Sequence, residues 1–353
     1  MGQGDAPTLA ATVPATMPAI VLAGPGQIDL LEVPVPDIGR HDVLIEVDAC
    51  GICGTDLHLV LQGWGAPGVV PGHEYAGHVA VVGQAVTDVA VGDAVTANPQ
   101  PGCGDCVGCR RGRPSLCRNL DLMGASWQGG FARYVRVAAR QVHRLPDAVA
   151  PRVGALAEPL AVALHAIDHA RLAGGDRVLV TGAGPLGLLV IAALRHGGVG
   201  EVVVSEPSVA RRARAERVGA SWTVMPTALP DPVIPPVLVD APFDAVIECS
   251  GSPAAVVAGL RTLRGGGRLV LVGAGLEPVA LDATRVMVHE LEVVGAINYG
   301  IDGFGQALDL LASGVLPIED LVEPAVVAPA GFLDACRQLA AGTVTRKLLV
   351  APG

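Results

Sequence analysis

Two short clusters near the start of the chain carry side chains that bind borderline metal ions. Cys53 opens Cys53-Gly-Thr-Asp-Leu-His58, and His73 and Glu74 close Pro71-Gly-His-Glu74. Thiolate, imidazole and carboxylate together suit a catalytic zinc ion, which takes three protein ligands and keeps a fourth position open. Between the clusters stand Gly63, Gly65, Pro67, Gly68, Pro71 and Gly72, so the chain can turn back and bring them together. Taken singly, the same residues have plainer readings. A lone Cys is usually an inert small hydrophobe, and Cys50-Gly-Ile-Cys53 has the spacing of a thiol redox pair.

A second set is Cys103-Gly-Asp-Cys106-Val-Gly-Cys109 followed by Cys117. Four thiolates this close can fill a tetrahedral zinc site with no open position, which is the structural type; an iron–sulfur cluster is the rival use of four cysteines. Zinc is the expected occupant.

Further on, Arg177-Val-Leu-Val-Thr181 reads as a strand and Gly182-Ala-Gly184-Pro185-Leu186-Gly187 as a G-x-G-x-x-G turn. An apolar helix over 188–196 and a second strand over 201–205, ending at Glu206, complete the unit. The turn alone is a weak signal. With a strand before, a helix after and an acidic residue about twenty positions on, it reads as a dinucleotide site: pyrophosphate at the helix N-terminus and Glu206 on the adenosine ribose. An acid at that place favours NAD over NADP, although Arg211 and Arg212 stand close enough to attract an extra phosphate. Their plainer reading is a solvated helix face. Glu158, just before Pro159 in an apolar stretch, is costly unless paired or facing a metal, and is a further candidate ligand.

The elements that must hold these groups follow from composition and pattern. The chain has 353 residues, enough for two domains, and is 51% hydrophobic with only 3% aromatic residues and 46 glycines, as suits aliphatic strands joined by tight turns. Its net charge of −10 argues against nucleic acid or an anionic membrane as partner. Apolar runs are broken well short of a membrane span. Residues 1–16 are small, polar and proline-punctuated, without the basic and apolar regions of a signal peptide, and read as a disordered leader. A cytoplasmic location is therefore expected, where eight cysteines serve ligation or catalysis rather than disulfides. Short strands at 20–22, 43–47, 77–82, 94–96 and 134–137 predict a β-rich, barrel-like first domain. A helix over 155–167 leads into alternating strands and helices whose strands at 177–181, 201–205, 222–225, 244–249, 268–273 and 291–297 predict a doubly wound parallel sheet. Residues 226–242 hold six prolines and must be loop or a broken helix. Helices are expected at 304–313 and 331–341, and a last strand, 346–350, is expected to return to the first domain.

Taken together, GICGTDLH (51–58), PGHEYAGHV (71–79), the four-cysteine loop, AEPL (157–160), TGAGPLG (181–187) and ECSG (248–251) resemble the zinc-containing medium-chain dehydrogenases that act on alcohols, polyols and threonine, over residues 17–353. The resemblance implies an α/β fold in which a Rossmann sheet (161–299) is inserted after a GroES-like catalytic domain (17–160 and 300–353). It places Cys53, His73 and Glu74 around a catalytic zinc, with Glu158 able to exchange there, and a structural zinc on Cys103, Cys106, Cys109 and Cys117. Thr55 and His58 become a proton relay running through the cofactor ribose. Leu186 packs behind the nicotinamide, Val272, Ala274 and Ala296 hold its carboxamide, and Arg346 reaches the pyrophosphate. Arg133 departs from the acidic residue many relatives carry, and Trp64 and Trp127 are candidate pocket residues. The expected activity is NAD-linked oxidation of a secondary alcohol, polyol or amino alcohol by a homodimer or homotetramer. The alternatives are an NADP-dependent aldehyde or ketone reductase of the zinc family, a zinc-independent reductase of the same superfamily, and a non-catalytic dinucleotide sensor, which would be expected to have lost ligands kept here.

Overall fold

The computed structural model describes residues 13–119, 121–232, 234, 236–275 and 277–353. In chain order the strands are β1 (Thr16–Gly24), β2 (Gln27–Pro34), β3 (Asp42–Gly51), β4 (Glu74–Val82), β5 (Ala94–Ala97), β6 (Tyr134–Ala138), β7 (Val142–Arg144), β8 (Arg177–Thr181), β9 (Glu201–Ser205), β10 (Trp222–Val224), β11 (Phe243–Glu248), β12 (Leu263–Leu271), β13 (Glu292–Gly295) and β14 (Leu349–Val350). They belong to two compact units.

The first unit takes the chain up to Glu158 together with Pro324–Ala340 and Leu348–Gly353. Its main sheet runs β14-β3-β4-β5-β7, with β6 on β3 as well, and β1 and β2 form a separate antiparallel pair. Val43, Ile45, Cys50, Ala76 and Val95 are wholly buried, so β3 and its neighbours form the heart of the unit. The last strand lies against this unit: Leu349 pairs with Gly51 and Val350 with Cys50.

Pro159–Glu323 and Ala341–Lys347 make the second unit. Its six strands, in the order β10-β9-β8-β11-β12-β13, are parallel throughout. This is the doubly wound arrangement, with the reversal of strand order between β8 and β11. Val178, Leu179, Val180, Val246, Ile247 and Leu269 are fully buried, the continuous apolar pattern of strands covered on both faces.

Several expectations need correction. Residues 1–12 of the leader lie outside the described residues, and β1 already begins at Thr16. Neither β2 nor β7 nor helix Gly54–Leu61 is predicted from sequence. Residues 300–323 and 341–347, assigned by resemblance to the first domain, cluster with the second unit. Asp320 explains why: its carboxylate pairs with Arg214 and Arg217 on helix Val209–Val218, which covers the parallel sheet. Among its described residues the proline-rich segment carries a 3-10 turn, Pro226–Ala228, and Arg285 fastens it by donating to the Val237 carbonyl at 2.9 Å.

Candidate metal centres and dinucleotide site

Strand register brings the first cluster together. Gly51 at the end of β3 lies opposite Glu74 at the start of β4, so Cys53, two residues on, and His73, one residue back, meet at the same corner. Gly51 has to be glycine, since a Cβ there would lie 2.2 Å from Glu74 Oε2. One ligating atom each from Cys53, His73 and Glu74 fall within 4.8 Å of one another, with His73 and Glu74 buried. Glu158, in the first turn of helix Ala157–Ala170, is not one of the three, but its charge acts on His73.

Asp56, which sequence reasoning missed, completes the corner. Fully buried, it accepts a hydrogen bond from the Cys53 backbone N–H at 2.8 Å and stands 3.8 Å from His73 Nδ1, a buried nitrogen with no hydrogen-bond partner. The available signal was its place three residues after Cys53, the spacing of a reciprocal helix cap. Burial by itself would depress the His73 pKa, but the negative charges of Cys53, Asp56 and Glu158 outweigh it and hold the imidazole well above its ordinary value. An imidazole ringed by anionic groups is balanced by a proton or by a cation in the proton's place. The Cys, His and Glu donors suit zinc.

Thr55 and His58 lie on helix Gly54–Leu61, one turn apart. The Thr55 hydroxyl is 3.7 Å from Cys53 Sγ. His58 Nδ1 is 2.8 Å from Gln62 Oε1, and the ring stacks on Trp64 with centroids 5.1 Å apart. Cys50 is buried on β3 and Cys53 caps the helix. Cys53 groups with His73 and Glu74 while Cys50 does not, which favours ligation over the redox-pair reading of their spacing. Trp127 is partly exposed, and Arg133 pairs with Glu46 at 2.9 Å while lying over the Tyr134 ring.

In the four-cysteine loop, Cys103, Cys106, Cys109 and Cys117 also bring their sulfurs within 4.8 Å of one another. Backbone N–H groups of Cys103 and Asn119 donate to Cys117 Sγ, both at 3.3 Å. The Cys106 pKa falls to about 6 because backbone N–H groups of Cys109 and Arg118 stabilise its thiolate, whereas the Asp105 carboxylate beside Cys103 drives that thiol up to about 12. A loop already holding one thiolate near neutrality, with three more sulfurs at hand, fits a zinc ion of the closed structural kind.

In the second unit, Gly182 adopts φ +91°, and Gly184 caps helix Pro185–His196, leaving the helix's first N–H groups for an anion. A Cβ on Gly187 would lie 2.1 Å from the Gly182 carbonyl oxygen, so the helix packs on the turn only with glycine there. Glu206 is buried at the end of β9, where it accepts from Ala183 N–H at 2.9 Å and Ser208 N–H at 2.8 Å. A turn shaped by glycines, a helix N-terminus and a carboxylate beside it fit a dinucleotide.

Arg211 is not the solvated side chain of the plainer reading. Its Nε and Nη2 donate to the Val344 carbonyl at 3.1 and 3.0 Å, and a Cβ on Gly184 would lie 4.0 Å from its Nη1. Arg212 donates from Nη1 to the Glu206 and Pro207 carbonyls. Arg346 donates to the Glu319 carbonyl at 3.0 Å and lies 3.5 Å from the Glu323 carboxylate. Val272 and Ala296 have their N–H groups engaged by the Glu248 and Leu271 carbonyls, Ala274 is exposed and Leu186 is half-buried.

Comparison with known proteins agrees with this geometry. Residues 39–147 match the alcohol dehydrogenase GroES-like domain, and residues 185–313 match the zinc-binding dehydrogenase model. Sorbitol dehydrogenase of Bacillus subtilis is 33% identical over 321 residues, covering 88% of this chain and 90% of the relative. L-threonine 3-dehydrogenase of Pyrococcus abyssi is 37% identical over 311 residues, covering 83% and 86%. A crystal structure described as a zinc-binding dehydrogenase from Sinorhizobium meliloti bound to NADP superposes with a TM-score of 0.87 at 35% identity, over 96% of this chain and all of that one.

Proposed function

The chain belongs to the zinc-binding dehydrogenase family, and from that membership we propose that it oxidises a secondary alcohol, polyol or amino alcohol with NAD, in a reaction that also runs in reverse. Zinc-dependent, NAD(P)-linked alcohol or polyol oxidoreduction is the activity of the family; the narrower substrate and the choice of NAD are the proposal. The observation that carries it is the meeting of Cys53, His73 and Glu74 at one corner in a chain that also holds the glycine turn and Glu206.

Cys53, His73 and Glu74 would hold the catalytic zinc, and Cys103, Cys106, Cys109 and Cys117 a second, structural one. Zinc, when bound at the first site, supplies the Lewis acid that lowers the pKa of an alcohol. NAD, when bound, accepts the hydride. Asp56 fixes the Cys53 backbone and faces His73, so it orients two of the three ligands from behind. Thr55 Oγ1, beside Cys53, accepts the hydrogen bond of the alcohol and, in taking its proton, releases its own hydroxyl proton to the relay that ends at His58. His58 exchanges that proton with solvent. Its Nδ1 faces the Gln62 side-chain oxygen, which can only accept, so Nδ1 donates and the free lone pair lies on Nε2.

The relay gives an ordered expectation. Thr55→Val lowers kcat by about two orders of magnitude, the lower range for loss of positioned proton transfer. His58→Gln costs about tenfold or less, most on the acidic side where hydroxide cannot replace the ring. An unchanged rate in Thr55→Val removes Thr55 from the relay.

We also assign the chain to the cytoplasm, where eight cysteines without disulfides are stable, and read it as an oligomer. Among the described residues no helix is long and apolar enough to cross a membrane. The oligomer rests on β13, which among the described residues pairs with β12 alone and leaves its other edge bare next to exposed Ile297 and Ile301. Light scattering at micromolar concentration should give a dimer or tetramer; a monomer refutes this.

The substrate class is tested by an NAD- and NADP-linked screen of secondary alcohols, polyols and amino alcohols, run with zinc-replete protein. Turnover of one class with NAD supports the proposal. No turnover of any class with either cofactor overturns it.

A further inference from the structure

A buried carboxylate at the end of β11 has no part in the chemistry described above, yet three segments of the dinucleotide site converge on it. Glu248 is 1% exposed and is paired in register with Thr181 on one side and Leu271 on the other, the last residues of β8 and β12. Oε1 accepts from Ser250 N–H at 2.7 Å, Gly251 N–H at 3.0 Å, the Ser250 hydroxyl, and the Thr181 hydroxyl at 3.4 Å, and Oε2 lies 3.1 Å from the same Gly251 nitrogen. The backbone carbonyl accepts from Val272 N–H at 2.9 Å and Gly273 N–H at 2.8 Å. One residue therefore ties the end of β8, the loop after β11 and the loop after β12.

The three segments are packed without room for side chains. A Cβ on Gly182 would stand 2.9 Å from Ser250 Cβ, and one on Gly273 would stand 2.2 Å from Gly251 N and 2.7 Å from Glu248 Oε2. One on Gly251 would meet the Ala274 backbone at 2.9 Å. The position of the Gly182 turn is thus set by residues 250–251, which are set in turn by the Glu248 carboxylate, and Ala274 rests on the same loop.

We infer that Glu248 is a positioning residue for the dinucleotide: its carboxylate holds Ser250 and Gly251 so that the Gly182–Gly187 turn and the Val272–Ala274 strand end are ready-shaped before the cofactor arrives. The inference rests on the dehydrogenase reading. Glutamine keeps the shape but replaces one acceptor oxygen with an N–H donor, which must face either the Ser250 and Gly251 N–H groups or the crowded side toward Gly273. The loop then relaxes, and part of the cofactor's binding energy goes into restoring it.

The test is NADH binding by fluorescence on full-length, zinc-loaded protein, with steady-state kinetics alongside. In Glu248→Gln the Kd for NADH and the KM for NAD should rise about ten- to a hundredfold, the range for spoiling a buried charged hydrogen-bond set. Zinc content and kcat at saturating cofactor should stay within about threefold, as a fault in cofactor binding alone requires. Ser250→Ala, which deletes the hydroxyl that donates to Glu248 and accepts from Ser252 N–H at 3.1 Å, should weaken NADH about three- to tenfold and covers the case in which the glutamine variant does not fold. NADH binding equal to wild type in a folded variant overturns the inference alone, and so does an equal loss of kcat and zinc with the binding. Wild-type protein that binds neither NADH nor NADPH overturns the dehydrogenase reading and this inference with it.

Discussion

Cys53→Ala and His73→Gln should each lower turnover by about three orders of magnitude or more while the melting temperature stays near that of wild type, and Cys106→Ser should show the opposite pattern. The expectation follows from how the two clusters are built. Cys53, His73 and Glu74 sit at a corner fixed by the β3–β4 register, so the sheet holds that corner whether or not it binds metal. Their loss removes the Lewis acid, and with each 1.36 kcal/mol of barrier costing about tenfold, a contribution of several kcal/mol accounts for the fall. The four-cysteine loop has little else to hold it. Around residues 103–117 only Cys106, Ser115 and Cys117 are buried, so its order depends on the metal. A drop in Tm of about 10 °C is expected for Cys106→Ser, equivalent to a few kcal/mol in a chain of this kind. Elemental analysis checks the assignment independently: two zinc ions per chain in wild type, one in Cys53→Ala and one in Cys106→Ser. Iron in the wild type, or equal losses of Tm in both classes of variant, would show that the sites are misassigned.

Wild-type enzyme should prefer NAD to NADP by about a hundredfold or more in kcat/KM, and Glu206→Ala should lose most of that margin. The carboxylate is buried at the end of β9 and would meet the additional phosphate of NADP with like charge, while offering acceptors to ribose hydroxyls. Since about 1.4 kcal/mol is tenfold in affinity, a hydrogen bond to the ribose and the avoidance of that repulsion together suffice for a hundredfold. Glu206 also braces Ala183 and Ser208 through their N–H groups, so the variant should be poorer with NAD than loss of the ribose hydrogen bond alone implies. The narrowing relies on Arg212 more than on Arg211. Arg211 is committed through two nitrogens to the Val344 carbonyl, whereas Arg212 is held through Nη1 alone and lies directly over the Glu206 and Pro207 carbonyls. Kinetics with both cofactors on wild type, Glu206→Ala and the Glu206→Ala/Arg212→Ala double variant decide the matter. An NADP preference in the wild type, or an unchanged ratio in Glu206→Ala, would remove Glu206 from this role.

The parallel sheet was readable from sequence because its longer strands carry short runs of consecutive aliphatic residues bounded by glycine or charge, and the Gly182–Gly187 turn carries its own spacing. The barrel-like unit was harder. In β2, Gln-Ile-Asp-Leu-Leu-Glu-Val-Pro is mostly exposed, so its burial gives no alternation to detect, and β7 has only three residues. Helix Gly54–Leu61 begins with glycine and threonine behind a cysteine cap, none of them a strong start signal. Cys53, His73 and Glu74 could be grouped by type, but what groups them in space is the pairing of Gly51 with Glu74, and no local pattern reports a register. Asp56 was passed over for the same reason. Its partner His73 lies across the sheet corner, so the meaning of the Asp appears only once β3 and β4 are paired.

The pairing of Leu349 with Gly51 has a bearing on how the chain comes to be folded. At translation rates of about 5–20 residues per second, β3 and its cysteine exist for many seconds before their partner strand is made. In that interval the whole parallel sheet, β8 to β13, has been synthesised and can fold on its own contacts. The first unit cannot close until Leu349 arrives, and until then the β3 edge beside the metal ligands is open to other strands and its thiols to oxidants. A nascent chain stalled before residue 349 should therefore already protect the parallel sheet from protease while leaving the Cys50 thiol reactive to a thiol reagent, and release of the remainder should bury it.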